Sequence, residues 1–343
     1  MSKENIHVEL EHGAGGRAMA KFLADIIFPH FKLNRFQNGI GLPDADDGAT
    51  IPLEEHMIVV STDSHTVSPL FFPGGDIGSL AAAGTINDVA MMGAQPLVMT
   101  SALVIEEGFP IKDLQTILKS MASTAGEEGV AIIAGDTKVM PKGGLDQMII
   151  CTTGFGVVEK GVVITDSGVK VGDKLIMTGT IGDHGIALLA SREGLSFETD
   201  LVSDVAPLWS MIREALKVGG IHAMKDPTRG GLSATLNEFA KKSGVGLMID
   251  ENRLPFQREV LAASQMLGLD PLQVTCEGKA LIAVEANQAD AVLDVIRSTK
   301  HGKEAQIIGE ARDDRPGLVV MKTEVGGSRI IQHPWAEAIP RVC

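Results

Sequence analysis

From residue 57 to residue 158 the sequence alternates short apolar runs of strand length with longer segments of helical length, and after a turn-rich stretch the alternation starts again. That repetition constrains the fold more than any single motif. Alternating strands and helices close into layered α/β units, each with its own core. Met57–Thr62 reads as a buried strand ending at Asp63. Asp76 is placed to cap a helix running through Ala81, Ala82 and Ala83 to Met91 and Met92. A strand over 96–105, a helix over 111–128, a short buried strand over 130–134 and a strand over 148–158 follow; the last puts Cys151 in the core as a small apolar residue. Lys160-Gly161 and Gly168 to Asp173 form the linker. Strands over 174–179, 245–250, 280–284, 306–310 and 317–322 then alternate with helices that open at Asp183-His184-Gly185 or span 207–218, 257–267 and 287–299. A length of 343 residues also predicts two domains. The expected divisions are an arm over 1–45, a first α/β domain over 46–165, a second α/β domain over 166–322, and a mobile tail over 323–343 carrying Cys343.

The interior has to be aliphatic and Met-rich, because aromatic residues are 4% of the chain and tyrosine is absent. A net charge of −14 excludes nucleic acid and anionic membrane as partners, since both need basic surface. It leaves ATP open, because Mg2+ bridges acidic side chains to phosphates. Cys151, Cys276 and Cys343 form no Cys-x-x-Cys pair, so neither a disulfide framework nor a Cys-rich zinc site is expected, which fits a reducing cytoplasm. The N-terminal residues show no signal-peptide run, and no stretch reaches about 18 uninterrupted apolar residues.

The acidic residues fall at informative places. Asp46 and Asp47 precede the strand that ends at Asp63, and Asp88 interrupts an Ala/Met helix in which Asp is a poor helix former. Carboxylates gathered at strand ends suit Mg-nucleotide binding where no Lys-bearing phosphate loop exists, and Gly-x-x-x-x-Gly-Lys-Ser/Thr is absent. His12-Gly13-Ala14-Gly15-Gly16-Arg17 can close over phosphates or be a plain flexible turn. Gly135-Asp136-Thr137-Lys138 delivers an acid and a base to a strand end, where α/β ligands gather, or is a surface ion pair. Lys225 to Leu232 feeds a helix N-terminus, an anion seat. Glu277, on a turn before a strand, is a candidate general base, and Cys276 beside it reads as structural. The histidines lack metal-site spacing. Cys343 follows Pro334 and Pro340, which keep its approach extended; it is either an unremarkable last residue or a mobile nucleophile.

Asp46-Asp47-Gly48-Ala49, Ser61-Thr62-Asp63, Ser68 to Gly78 with its Phe71-Phe72-Pro73-Gly74-Gly75-Asp76 run, and Gly84 to Ala94 with Asn87-Asp88 resemble the aminoimidazole-ribonucleotide-synthetase superfamily. The Phe-Phe-Pro-Gly-Gly-Asp run and the closing Pro340-Arg341-Val342-Cys343 are similar to its HypE branch of hydrogenase maturation factors. The resemblance implies a two-domain PurM-like α/β (α+β) fold, with the first domain's sheet paired in a homodimer. It implies ATP with Mg2+ as cofactors: Asp47, Asp63, Asp88 and Asp226 as metal ligands, and Asp46, Asn87, Asp136 and Lys138 beside them as nucleotide contacts. It implies that Cys343 receives a carbamoyl group from the carbamoyltransferase HypF. The thiocarboxamide is then dehydrated to a thiocyanate, giving cyanide to iron on a HypC–HypD scaffold. Lys138 would then neutralise phosphate or orient the amide, and Glu277 would take its proton. Two alternatives from other classes are a superfamily kinase acting on a free small molecule, which needs no Cys343, and a carrier that presents a thiol-bound group without catalysis.

Overall fold

The computed structural model describes residues 7–159, 161–192, 200–339 and 341–343. Lys160 of the expected linker, Pro340 of the expected stiff approach and the first six residues of the arm lie outside them. The arm is largely helical: α1 (Gly16–Phe22) continues through irregular turns to His30. β1 (Ala49–Leu53) and β2 (His56–His65) form a hairpin, and a short ribbon, β3 (Phe71–Phe72) with β4 (Gly75–Asp76), leads into α2 (Ile77–Met91). β5 (Gln95–Glu106), α3 (Ile111–Glu127), β6 (Ala131–Met140) and β7 (Met148–Glu159) complete the first domain. Its sheet runs β1-β2-β7-β5-β6, antiparallel except for β5-β6.

Asp76 caps α2 as the sequence predicts, accepting the amides of Gly78 and Ser79 at 2.8 and 3.1 Å. All of α2 except Ser79 and Asp88 is buried, so the helix is a core element with apolar residues on every side. Ser79 closes the cap, which leaves Asp88 as the one acid carried through this core.

Three expectations need correcting. The strand expected to end at Ala134 runs to Met140, so Asp136 and Lys138 stand within an exposed edge strand and not beyond its end. At Gly135 a Cβ would lie 2.2 Å from Ser101 O of β5, so glycine permits close strand approach. Cys151 is not in the core. Residues alternate along β7, and Cys151 is half-buried on the face away from the helices, 3.3 Å from Ser64 Oγ. Residues 328–330, expected in the mobile tail, form a strand of the second sheet.

The second domain contains β8 (Lys174–Met177), α4 (Asp183–Ala190), α5 (Trp209–Val218), β9 (Ile221–Lys225), α6 (Gly231–Ser243), β10 (Gly246–Asp250), α7 (Arg258–Leu267), β11 (Leu281–Val284), α8 (Ala289–Arg297), β12 (Gln306–Arg312), β13 (Val319–Lys322) and β14 (Ser328–Ile330). The sheet order is β14-β13-β10-β12-β8-β11-β9. One apolar core crosses the domain boundary, joining Ile77, Leu80 and Ile86 of α2 to Trp209, Met211 and Ile212 of α5. Asn87 pins the same boundary. Its amide nitrogen donates to Ala206 O at 3.1 Å, and its oxygen accepts Leu208 N at 2.8 Å. No helix among the described residues is long and apolar enough to cross a membrane.

Candidate active site between the domains

The acids singled out in the sequence meet where the first sheet faces the β9–α6 loop. Thr85 donates to Asp63 Oδ2 at 3.0 Å, and Ser61 donates to Asp88 Oδ2 at 2.6 Å. Asp46 accepts the amides of Asp47 and Asp166 at 3.0 and 3.4 Å. Asp226, buried at the end of β9, approaches from the second domain. Burial pushes the Asp226 carboxyl up to about 8, with Asp47 and Asp63 adding repulsion. Burial likewise raises Asp46 to about 7, and Asp47 to about 6 against the pull of Lys225. Asp88 lies well above the usual carboxylate range, first through burial and then through Asp63, Asp226 and Asp47.

Such a set calls for a cation. Asp47 Oδ2 is buried with no hydrogen-bond partner. Among the described residues no three His, Cys, Asp or Glu side chains are gathered tightly enough to hold a metal ion as they stand. Lys225 supplies the positive charge instead: it is bonded to Asp47, with Asp166 and Glu238 at 3.6 and 3.5 Å. Lys242 of α6 reaches Asp166 at 2.6 Å and Asp44 O at 2.9 Å. The orphaned Asp47 oxygen and the mutual repulsion of the acids fit a divalent cation at this place.

The tail reaches the same cleft. Val342 is buried, and the Cys343 backbone oxygen accepts from Thr66 Oγ1 at 3.4 Å. Burial pushes the Cys343 thiol up; Arg229 opposes that, and Glu277, Glu337 and Asp63 add to it. Arg229 in turn is raised by Cys343, with Asp63, Glu337 and Glu277 contributing. Glu277 is buried with one carboxylate oxygen unpartnered, and burial, Asp226, Asp204 and Glu337 place its pKa well above the ordinary range. Its amide donates to Asp204 Oδ1 at 3.1 Å, and Lys279 pairs with Asp204 at 3.2 Å. Upstream, Thr275 donates to Glu337 Oε1 at 2.7 Å, while the arm receives residues 334–337 through Arg17 N to Pro334 O and Glu337 N to Ala14 O. Gly15 adopts φ +66°, and a Cβ there would lie 2.8 Å from Arg229 Cβ, so the glycine turn abuts the loop that carries Asp226.

Asp46, Asp47, Asp63, Asp88, Asp226, Glu277 and Cys343 are therefore brought to one cleft. Asn87 is spent on the domain boundary. Asp136 and Lys138 pair with each other at 3.4 Å on the exposed edge of β6. Sequence reasoning passed over Lys225, Arg229, Glu337 and His184 as site residues. Lys225 and Arg229 flank Asp226 in the loop read as an anion seat, which was the available signal; Glu337 and His184 carried none.

The model for AIR synthase related protein, N-terminal domain, matches residues 45–158, and that for the C-terminal domain matches residues 170–321. Carbamoyl dehydratase HypE of Cupriavidus necator is 44% identical over 98% of this chain and 95% of its own length. A crystal structure of a HypE–HypF complex aligns with a TM-score of 0.84 at 43% identity, covering 93% of this chain and all of that one. A crystal structure of hydrogenase maturation protein HypE in complex with ATP aligns with a TM-score of 0.81 at 39% identity, covering 98% and 100% of the two chains. Matched along nearly its whole length and in both domains, the chain belongs to the AIR synthase related family and, within it, to the HypE proteins.

Proposed function

We propose that this chain is an ATP-dependent carbamoyl dehydratase whose substrate is a carbamoyl group on its own Cys343, converted there to a thiocyanate that supplies cyanide to the iron of a nickel–iron hydrogenase precursor. The observation that carries this reading is the seat of the tail in the interdomain cleft: Val342 is buried, Thr66 Oγ1 donates to Cys343 O at 3.4 Å, and Arg229, Glu277, Glu337 and Asp63 act on the Cys343 thiol. The carbamoyl dehydratase named among the relatives and the ATP-bound relative support the chemistry and the nucleotide.

The carbamoyl oxygen is a poor leaving group until it carries the γ-phosphoryl group of ATP, whose transfer releases ADP. One amide N–H proton leaves to water as the imidate phosphate forms, and loss of the second to a base lets nitrogen's electron pair complete the C≡N bond. The C–O bond breaks and phosphate departs. Mg2+ in the cleft would neutralise and orient the ATP phosphates. Asp47, Asp63, Asp88 and Asp226 would hold it, with Asp46 behind them. Arg229 faces the negative charge that gathers on the phosphorylated oxygen. Glu277 takes the N–H proton: its raised pKa makes its ionised form a stronger base than an ordinary carboxylate. Arg229 favours that ionised form, and so does neutralisation of Asp226.

Burial and acidic neighbours keep the seated Cys343 protonated, and a thiol is a poor nucleophile. Loading therefore belongs to the unseated tail, offered to a carbamoyltransferase; the HypE–HypF complex of a relative supports HypF in that role. A HypC–HypD complex is the proposed acceptor of the cyanide. A homodimer through the first sheet would cover β6, whose Ile132, Ile133, Val139 and Met140 are exposed, and would enclose Asp136 and Lys138 for contacts to phosphate and amide. Free cysteines fit a cytoplasmic setting. ATP hydrolysis tests the reading. Carbamoylated protein should release phosphate stoichiometrically with the carbamoyl group, and untreated protein should not; equal hydrolysis by both would contradict it.

A further inference from the structure

Three successive backbone oxygens of the tail are held by the body of the protein. Ser68 N and Arg192 Nη2 donate to Arg341 O at 3.2 and 3.1 Å, His184 Nε2 lies 2.8 Å from Val342 O, and Thr66 Oγ1 donates to Cys343 O at 3.4 Å. The middle contact differs from its neighbours. His184 and Val342 are both fully buried, so neither partner has water as an alternative.

The imidazole is fixed on every side. Its Nδ1 lies 2.7 Å from Ser203 Oγ, and the Phe72 ring meets it edge-on at 5.3 Å. The Val342 carbonyl can only accept, so Nε2 donates to it, and Ser203 Oγ, which accepts Val205 N at 3.1 Å, gives its own proton to Nδ1. Nδ1 therefore accepts, and the neutral ring carries its proton on Nε2, facing Val342 O. Burial favours that neutral form. Phe72 comes from the first domain, His184 and Ser203 from the second, so one ring ties the tail to both.

We infer that His184 is the positioning residue that seats the tail: through the Val342 carbonyl it fixes where the group on Cys343 lies relative to Arg229 and Glu277. It touches the tail backbone and not the reacting atoms. The inference rests on reading Cys343 as the carrier of the reacting group.

The test uses the full chain with His184→Phe, His184→Asn and His184→Gln. Phe fills the space without a donor. Asn reaches Ser203 but not Val342, whereas Gln places a donor near the Nε2 position. Two rates are measured: alkylation of Cys343 by iodoacetamide, read by mass spectrometry with Cys151 as internal reference, and single-turnover dehydration of the carbamoylated tail. Loss of one buried hydrogen bond should speed Cys343 alkylation about five- to tenfold in the Phe and Asn variants. Dehydration should slow by a similar factor while the KM for ATP stays unchanged and carbamoyl loading, which uses the unseated tail, is not slowed. His184→Gln should recover both rates. Alkylation at the parental rate in the Phe and Asn variants, or Gln behaving like Asn, would overturn the inference; if the Phe variant does not fold, the Asn–Gln pair decides. If the parent is never carbamoylated on Cys343, the dehydratase reading fails while alkylation still judges the seat. If the parent dehydrates normally and alkylation does not respond, the seat alone fails.

Discussion

Lys225, at the end of β9 in the second domain, is bonded across the domain boundary to the carboxylate of Asp47 in the first. The pair is largely shielded from water, its side chains 16% and 6% exposed, and Asp166 and Glu238 stand on the same ammonium group. Replacing Lys225 with Met would leave Asp47 without its cation, while Asp166 keeps Lys242 at 2.6 Å. The cost expected for breaking a buried pair is about 3–5 kcal/mol of folding stability. Urea unfolding measures it, and millimolar Mg2+ should restore part of the loss. A variant as stable as the parent would show that Lys225 does not hold the cluster.

Asp88→Asn keeps size and removes one charge from the cleft. Folding should survive, because the repulsion from Asp63, Asp226 and Asp47 falls. Affinity for Mg-ATP should fall about 10- to 100-fold. Calorimetric titration with Mg-ATP is the measurement, and parental affinity would remove Asp88 from the ligand set.

The raised carboxyls predict how stability depends on pH. Asp46 at about 7 and Asp226 at about 8 bind protons more tightly folded than at their ordinary 3.8. Their contribution is fully present below the unfolded pKa and is lost as pH rises through 7 and 8. Metal-free protein should therefore become less stable from about pH 5 to about pH 8, and the stabilisation added by Mg2+ should grow over the same range. Thermal unfolding with and without Mg2+ checks both trends. Rising metal-free stability across that window would contradict the assignment.

Glu277→Gln removes the proposed base without removing bulk. ATP binding should be retained, and dehydration of the loaded tail should slow about 10^2- to 10^4-fold. Loss of nucleotide binding together with folding would make Glu277 structural.

The parts legible in the sequence are those set by local patterns. Asp76 announces the start of α2, the all-round apolar character of α2 marks it as core, and Asp88 stands out as the acid that such a helix would not carry without use. Where an element ends was harder to read. The strand looked finished at Ala134 because its apolar run stops there, yet it continues through Gly135, where β5 passes close beside it. Cys151 looked like core because an apolar strand does not reveal which of its faces is covered. His184 and Glu337 gave no signal because their meaning lies in partners far along the chain, Val342 and Thr275. The tail read as free because its sequence is short and proline-bearing, whereas its hold comes from backbone oxygens, which every sequence presents alike.

The most direct test follows the mass of the peptide that contains Cys343. After incubation with the carbamoyltransferase it should gain one carbamoyl group, and after addition of Mg-ATP it should lose the mass of one water. Cys343→Ala should fold and bind ATP yet gain nothing. Cys343→Ser should do the same, because a hydroxyl without an activating base is far less nucleophilic than a thiol. A carbamoyl group found on Cys151 or Cys276 instead, or normal hydrogenase maturation supported by the Ala variant, would contradict the account of the tail as substrate.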